Sequence, residues 1–335
     1  MLKFWRERRE QGLGETELLA EIDRLSESNR RRPSAATEKR LLRLRNLAGI
    51  RLLEAAGEGA QHPPPDGAAL PAGEPLPEIE ASQLTAELLR AAVLQHGALL
   101  VRGLVEQDRA SRFTALIDRS YAEREHHIQG ARCDERYFSP FEPEPGFGED
   151  LGRGWVAQGG GVLAADCPAL SFDLFELLRD TGLSELAEGY LGEPALITGQ
   201  KTTLRIAEPS VPGAWHQDGR FLGPVRALNL WVALSRCGDV APGLELVPRR
   251  FDEFVTAETE DAMFDHMVSD VQAEEAAGGL PILRPIFEPG DAMLFDELFL
   301  HKTGSDPAME QPRYAIENWF FGASAFPADY APLSV

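Results

Sequence analysis

Glu288-Pro-Gly-Asp-Ala-Met-Leu-Phe-Asp-Glu-Leu-Phe-Leu-His301 decides how the chain is read. Pro289-Gly290-Asp291 is a turn signal, and the apolar run across 291–296 is too short for a helix, so it reads as a buried strand ending near a histidine. Similar text surrounds it. Strands are read at 195–206, 226–235, 243–248, 282–287 and 313–321, with turn signals at 209–213, Gly238-Asp239 and Pro248 between them. No strand–helix–strand alternation appears, which excludes a doubly wound parallel sheet. Helices first and strands later define an α+β protein whose strands form a barrel or jelly roll.

The helices lie upstream. Leu18, Leu19, Ile22 and Leu25 share one helical face, as do Leu41, Leu44, Ala48 and Leu52, with Pro33 separating the two helices. Two amphipathic helices this short must dock, either on the main domain or against a second copy as a homodimer contact. This gives a helical extension over 1–57, a Gly- and Pro-rich linker over 58–80, and the main domain over 81–335. Within the domain, Thr85 caps a helix to about Gln95, 97–103 is a buried strand, and 108–121 is a helix. Further helices carry Leu174, Leu177 and Leu178, then Leu183, Leu186 and Leu191. The aperiodic stretch 122–165 is expected to be a lid, and 252–275, acidic with no Lys or Arg, a helical insertion.

The chain has 335 residues, 43% hydrophobic and 26% charged, with a formal net charge of −21. An acidic body repels phosphate backbones, so nucleic acid is not expected as a partner. No apolar run is long enough to span a bilayer, and charge interrupts the N-terminus before a signal-peptide core can form. Cys133, Cys167 and Cys237 form no CxxC pair. These features point to a cytoplasmic protein.

Chemistry concentrates in Trp215-His216-Gln217-Asp218. Residues i and i+2 of an extended segment share a face, so His216 and Asp218 can reach one point. With His301 they would complete a two-histidine, one-carboxylate face that leaves three positions open on an octahedral Fe(II). Arg313 opens the next strand and could grip a remote carboxylate. His62, His126, His127 and His266 have no partner spacing, and His96 suits a helix C-terminus.

Seven blocks now resemble the phytanoyl-CoA dioxygenase family of Fe(II)/2-oxoglutarate oxygenases: GGGVLAADCP (159–168), TGQKTTLRIAEP (198–209), AWHQDG (214–219), LNLWVAL (228–234), APGLELVPRR (241–250), EPGDAMLFDELFLHKTG (288–304) and QPRYAIENW (311–319). The resemblance covers about 80–322 and not the N-terminal helices. It implies a double-stranded β-helix, cupin-like core with flanking helices. By position, His216, Asp218 and His301 would hold Fe(II), Arg313 and Thr303 would hold the distal carboxylate of the cosubstrate 2-oxoglutarate, and Thr203 and Trp231 would lie beside it. O₂ would be the oxidant and hydroxylation of a small molecule the outcome. A carboxylate at 218 disfavours halogenation. Gln200, Lys201, Arg205, Trp215 and Phe221 flank the motifs and are expected to contact substrate. The acidic body disfavours an acyl-CoA. Two other readings use the same residues: a non-catalytic jelly-roll binding protein, and a zinc-dependent hydrolase or isomerase, which would have no use for Arg313 and Thr303.

Overall fold

The structure is a computed structural model and describes residues 10–57, 70, 75–148, 151–210, 213–256 and 267–335. Helices α1 (Glu15–Arg31) and α2 (Ala35–Ala55) form the N-terminal hairpin. Acidic residues open α1 and arginines close it, which matches the helix dipole. Ser34 accepts the Thr37 N–H at 3.3 Å and starts α2. Then come β1 (Glu78–Glu80), α3 (Ala86–His96), β2 (Ala98–Arg102), α4 (Gln107–Ile128), α5 (Arg153–Gln158), β3 (Gly161–Leu163), α6 (Pro168–Asp180) and α7 (Leu183–Leu191). The C-terminal half holds β4 (Ala195–Thr198), β5 (Thr202–Ala207), α8 (Gly219–Leu222), β6 (Ala227–Ala233), β7 (Gly243–Leu246), α9 (Asp270–Ala277), β8 (Ala292–Phe295), β9 (His301–Gly304), β10 (Arg313–Gly322) and β11 (Pro332–Ser334).

Nine strands make one sheet, seven of them in the order β1-β2-β8-β6-β10-β4-β11 and two, β5 and β3, off that path. β10 is long enough to serve two neighbours on one side. Its first part, Arg313–Asn318, pairs with β5, which carries β3, and its end, Phe321–Gly322, pairs with β4. β7 and β9 form a second, two-stranded sheet. Single bridges widen it: His216 with His301, Trp215 with Val268, and Leu246 with Leu283.

Side-chain alternation explains why β6 reads as an unbroken apolar run. Leu228, Leu230 and Val232 pack with residues of α3, α4, α6 and α7, while Ala227, Trp231 and Ala233 join Leu244, Leu246, Phe295, Phe299 and Trp319 in the core shared by the two sheets. Both faces of the large sheet are covered, so neither requires polar residues. The space between the sheets is where the chemistry lies.

Several expected boundaries change. The strand at 195–206 is two strands, broken at Gly199-Gln-Lys201. Residues 282–287 make only the bridges of Leu283 and Phe287. In 252–275, the described residues hold one helix, starting at Asp270 and capped by Ser269; the rest of the expected insertion, with His266, lies largely outside them. His62 also lies outside them. The segment 122–165 is not a structureless lid: α4 runs on to Ile128, Phe138, Phe141, Leu151 and Val156 enter the main core, and Arg153 pairs with buried Asp166 at 2.7 Å. The end of the 58–80 segment is no linker, because β1 pairs in parallel with β2.

The N-terminal hairpin is docked on the main domain. Leu18, Ile22, Leu25, Leu41 and Leu44 bury one another. The Asn46 side-chain amide donates to Pro332 O at 2.8 Å, and Arg45 donates to Ser334 O at 2.8 Å. The Arg136 guanidinium holds fully buried Glu38 at 2.7 Å. Most of the apolar face is therefore used within one chain, but Leu19, expected on that face, points away and is 47% exposed. Among the described residues, no helix is long and apolar enough to cross a membrane.

Candidate metal centre

A reciprocal backbone pair sets the centre. His216 N–H donates to His301 O at 3.0 Å, and His301 N–H donates to His216 O at 3.2 Å. Residues that exchange both bonds project their side chains on the same face, and the two imidazole centroids stand 4.5 Å apart. Two residues on, Asp218 leaves the extended path with φ −59° and ψ −30° and opens α8. The intervening Gln217 points the other way. Its amide donates to Leu298 O at 2.6 Å and accepts from Val255 N–H at 2.7 Å, fastening the ligand segment to the loop before His301.

Each imidazole is oriented from behind. His216 Nδ1 lies 2.8 Å from Ala214 O, and His301 Nδ1 lies 3.0 Å from Phe299 O. A carbonyl there fixes the proton on Nδ1 and leaves the Nε2 lone pair free for a ligand. The two Nε2 atoms are 3.9 and 3.7 Å from the two Asp218 oxygens, and one donor atom from each residue fits within a 4.8 Å cluster. This is the one such group found among the described residues. Asp218 is only 3% exposed, its Oδ2 has no hydrogen-bond partner, and burial pushes its carboxyl up. Burial also drives His301 down to about 3, so its imidazole is neutral at ordinary pH. Two imidazoles with their Nε2 atoms turned to one point and a buried carboxylate oxygen without a partner are a donor set that a divalent cation completes.

Arg313 lies at one end of the same interior. It is 2% exposed, donates to Gly243 O at 3.2 Å, leaves its Nε without a partner, and stands 5.3 Å over the Trp231 ring. Burial lowers it to about 10, so it keeps its charge at neutral pH. Among the described residues no carboxylate pairs with it. A buried guanidinium without a counter-ion is costly, and an anionic ligand would relieve it. Thr303, half-buried, is two residues beyond His301 on β9 and shares its face.

The period of two along β10 places Arg313, Ala315, Glu317 and Trp319 on one face. Glu317 is a residue that sequence reasoning misses. It accepts from Arg205 at 2.8 Å and from Thr203 at 3.3 Å. Burial would raise the Glu317 carboxyl, but the Arg205 charge and hydrogen bond, with Lys201 and His301, outweigh it and hold it at about 2. Counting in steps of two from Arg313 is the signal that could have found it. Thr203 and Arg205 thus belong to a half-buried ion-pair cluster.

The remaining expected substrate contacts separate. Phe221 stacks on His216 with centroids 6.4 Å apart, and Lys201 Nζ stands 4.3 Å from the Phe221 centroid. Gln200 braces the chain instead, since its side-chain oxygen accepts from Ala331 N–H at 2.9 Å and from Thr198 Oγ1 at 3.1 Å. Trp215 does not reach the centre. It faces away from His216, packs with Val247, Val268, Ala273 and Leu300, and donates from its indole to Asp270 at 2.8 Å. Adjacent residues of an extended segment point to opposite faces, which is why the neighbour of a ligand is not itself in the site.

No family model and no curated protein matches the chain. Three solved structures are distantly similar to it. AviO1 from Streptomyces viridochromogenes Tue57 is 20% identical over 72% of this chain and 96% of its own, with a TM-score of 0.46. The epimerase SnoN, solved in complex with Fe3+, alpha ketoglutarate and nogalamycin RO, is 20% identical over 73% and 86%, with a TM-score of 0.49. EctD from S. alaskensis with bound Fe is 16% identical over 80% and 85%, with a TM-score of 0.48.

Proposed function

We propose that the chain is an Fe(II)- and 2-oxoglutarate-dependent oxygenase on a double-stranded β-helix core, hydroxylating an unactivated C–H of a small molecule with release of succinate and CO₂. The observation that carries this reading is the pairing of two features in one interior: the His216–Asp218–His301 cluster, and Arg313 buried without a carboxylate partner. The sequence blocks that resemble the phytanoyl-CoA dioxygenase family contain both. Bound Fe(II) would supply O₂ activation coupled to oxidative decarboxylation of the cosubstrate.

The chain's own residues do the rest. His216 and His301 present their Nε2 lone pairs because backbone carbonyls hold the opposite nitrogens. Asp218 would contribute the negative charge of the donor set that holds the metal. Arg313 takes the distal carboxylate of 2-oxoglutarate, aided by the Thr303 hydroxyl, and Trp231 walls that end. The shared apolar core keeps water from the reacting face. Glu317 occupies Arg205, so the cosubstrate meets one unpaired guanidinium rather than two.

The test is an anaerobic titration of 2-oxoglutarate into the Fe(II) protein. A visible charge-transfer band with saturable intensity is expected. A band absent at millimolar cosubstrate in the Fe(II)-loaded protein would refute the reading.

A further inference from the structure

Among the described residues, Arg313, Arg205 and Lys201 bring positive charge to the interior beside the metal centre. The oxygenase reading, on which this inference rests, assigns Arg313 to 2-oxoglutarate. Glu317 takes Arg205 at 2.8 Å. Lys201 remains. The acidic groups whose charges it senses are Asp218 and Glu317, and both are committed, one to the metal and one to Arg205. Among the described residues its ammonium has no ion-pair partner, only the face of Phe221 at 4.3 Å. Phe221 in turn stacks on His216, so the ammonium lies within one small molecule's length of the metal ligands.

The position of Lys201 separates it from Arg313. Its carbonyl accepts the Trp319 N–H at 3.3 Å. Trp319 and Arg313 sit near opposite ends of β10, and a strand rises about 3.4 Å per residue, so the two backbones are about 20 Å apart. Arg313 marks the cosubstrate end, and Lys201 with half-exposed Phe221 marks the other. Among the described residues the arginine beside it, Arg205, is taken by Glu317, and a single free ammonium matches a monoanion. A phosphate would need several donors, and the acidic body disfavours a multiply charged ligand.

We infer that Lys201 anchors a carboxylate of the primary substrate, so that the substrate class is a small free carboxylic acid lying over Phe221. This sets the reacting carbon at the distance from the carboxylate that separates Lys201 from the metal.

The experiment is anaerobic calorimetry on the Fe(II) protein saturated with 2-oxoglutarate, which keeps Arg313 occupied. The probes are butanoate, hexanoate and 3-phenylpropanoate, each beside its primary amide. At least one acid should bind about tenfold or more tighter than its amide, the size expected of a charge-assisted hydrogen bond. In Lys201→Met that preference should fall to within about twofold, and Lys201→Arg should restore it. The 2-oxoglutarate midpoint should not move in Lys201→Met. Acids and amides that bind alike across the panel, or a preference that survives Lys201→Met, would overturn the assignment. A raised 2-oxoglutarate midpoint in Lys201→Met would overturn it too, by moving Lys201 to the cosubstrate. If the wild type fails to bind 2-oxoglutarate at all, the oxygenase reading falls and takes this one with it; a panel that fails after 2-oxoglutarate has bound removes this one alone.

Discussion

Arg205 and Glu317 meet at 2.8 Å between β5 and β10, and this contact leaves Arg313, four residues before Glu317 on the same strand face, as the guanidinium on that face with no carboxylate partner among the described residues. Two arginines in one interior would otherwise compete for the same anion. The ion pair removes one of them from the competition and fixes which end of the space an acidic cosubstrate takes.

Arg313→Leu should therefore raise the dissociation constant for 2-oxoglutarate by a factor on the order of 10²–10³, since breaking a buried charged pair costs about 3–5 kcal/mol. Fe(II) affinity should be kept. Thr303→Val should cost less, about 1–2 kcal/mol, because it removes a neutral donor to a charged group. The anaerobic charge-transfer titration measures both. An unchanged midpoint in Arg313→Leu would assign the distal carboxylate to another cation.

Glu317→Gln should change how stability depends on pH. The Glu317 carboxyl is held at about 2 in the folded chain, against an ordinary value of 4.5. A depressed acid stabilises the fold above its unfolded pKa and loses that contribution as pH falls through its folded one. The Glu317 contribution should be complete above about pH 5, fade from about 4.5 downward, and be gone near 2, worth about 2–3 kcal/mol. Melting curves of wild type and Glu317→Gln should thus converge on acidification, and parallel curves across that window would contradict the assignment.

Asp218→Asn separates binding from stability. The fold buries an Asp218 oxygen that has no hydrogen-bond partner, so the amide should stabilise the metal-free protein by about 1–3 kcal/mol while abolishing Fe(II) binding. Thermal melts in chelator and a metal-binding isotherm report the two effects separately. His216→Ala and His301→Ala should lose the metal without the gain in stability. A triad variant that keeps wild-type Fe(II) affinity would remove that residue from the site.

Gly49→Ala tests the docking of the N-terminal hairpin. A Cβ at Gly49 would stand 2.8 Å from the Pro332 carbonyl carbon and oxygen, which are backbone atoms with little room to retreat. The expected loss is about 1–3 kcal/mol, with the 2-oxoglutarate midpoint unchanged. Because the hairpin covers β11, deleting 1–57 should destabilise the domain as well, a greater effect than a free extension would give. A truncation that melts with the full chain would show that the docking contributes nothing.

The sequence reveals some strands and conceals others for physical reasons. β6, β8 and β10 are legible because both faces of the large sheet are buried, which writes them as apolar runs. β9 is not. His301-Lys-Thr-Gly304 has no apolar signal, and its conformation comes from pairing with β7. β3 and β11 are three residues each, too short to show a period. Within the site, a spacing of two brings His216 and Asp218 together, while His301 becomes legible only with the strand end that precedes it and the family resemblance. Glu317 is hidden because Glu-Asn inside RYAIENWFFG looks solvated until the strand is counted in twos. Trp215 misleads for the same reason in reverse: sequence adjacency to His216 puts it on the opposite face.

β10 works as a reading frame of period two. In one frame its residues are Arg313, Ala315, Glu317 and Trp319; in the other, Tyr314, Ile316, Asn318 and Phe320. Pairing on both sides, with β6 and β5, locks that frame. A single residue inserted within β10 before Ile316 would exchange the two sets downstream of it and aim Ile316 where Glu317 now stands. The same insertion in 305–312, before the strand starts, would be absorbed by the turn and leave the frame intact. Loop-length variation in this fold is thus tolerated next to the site but not inside the strand that dimensions it.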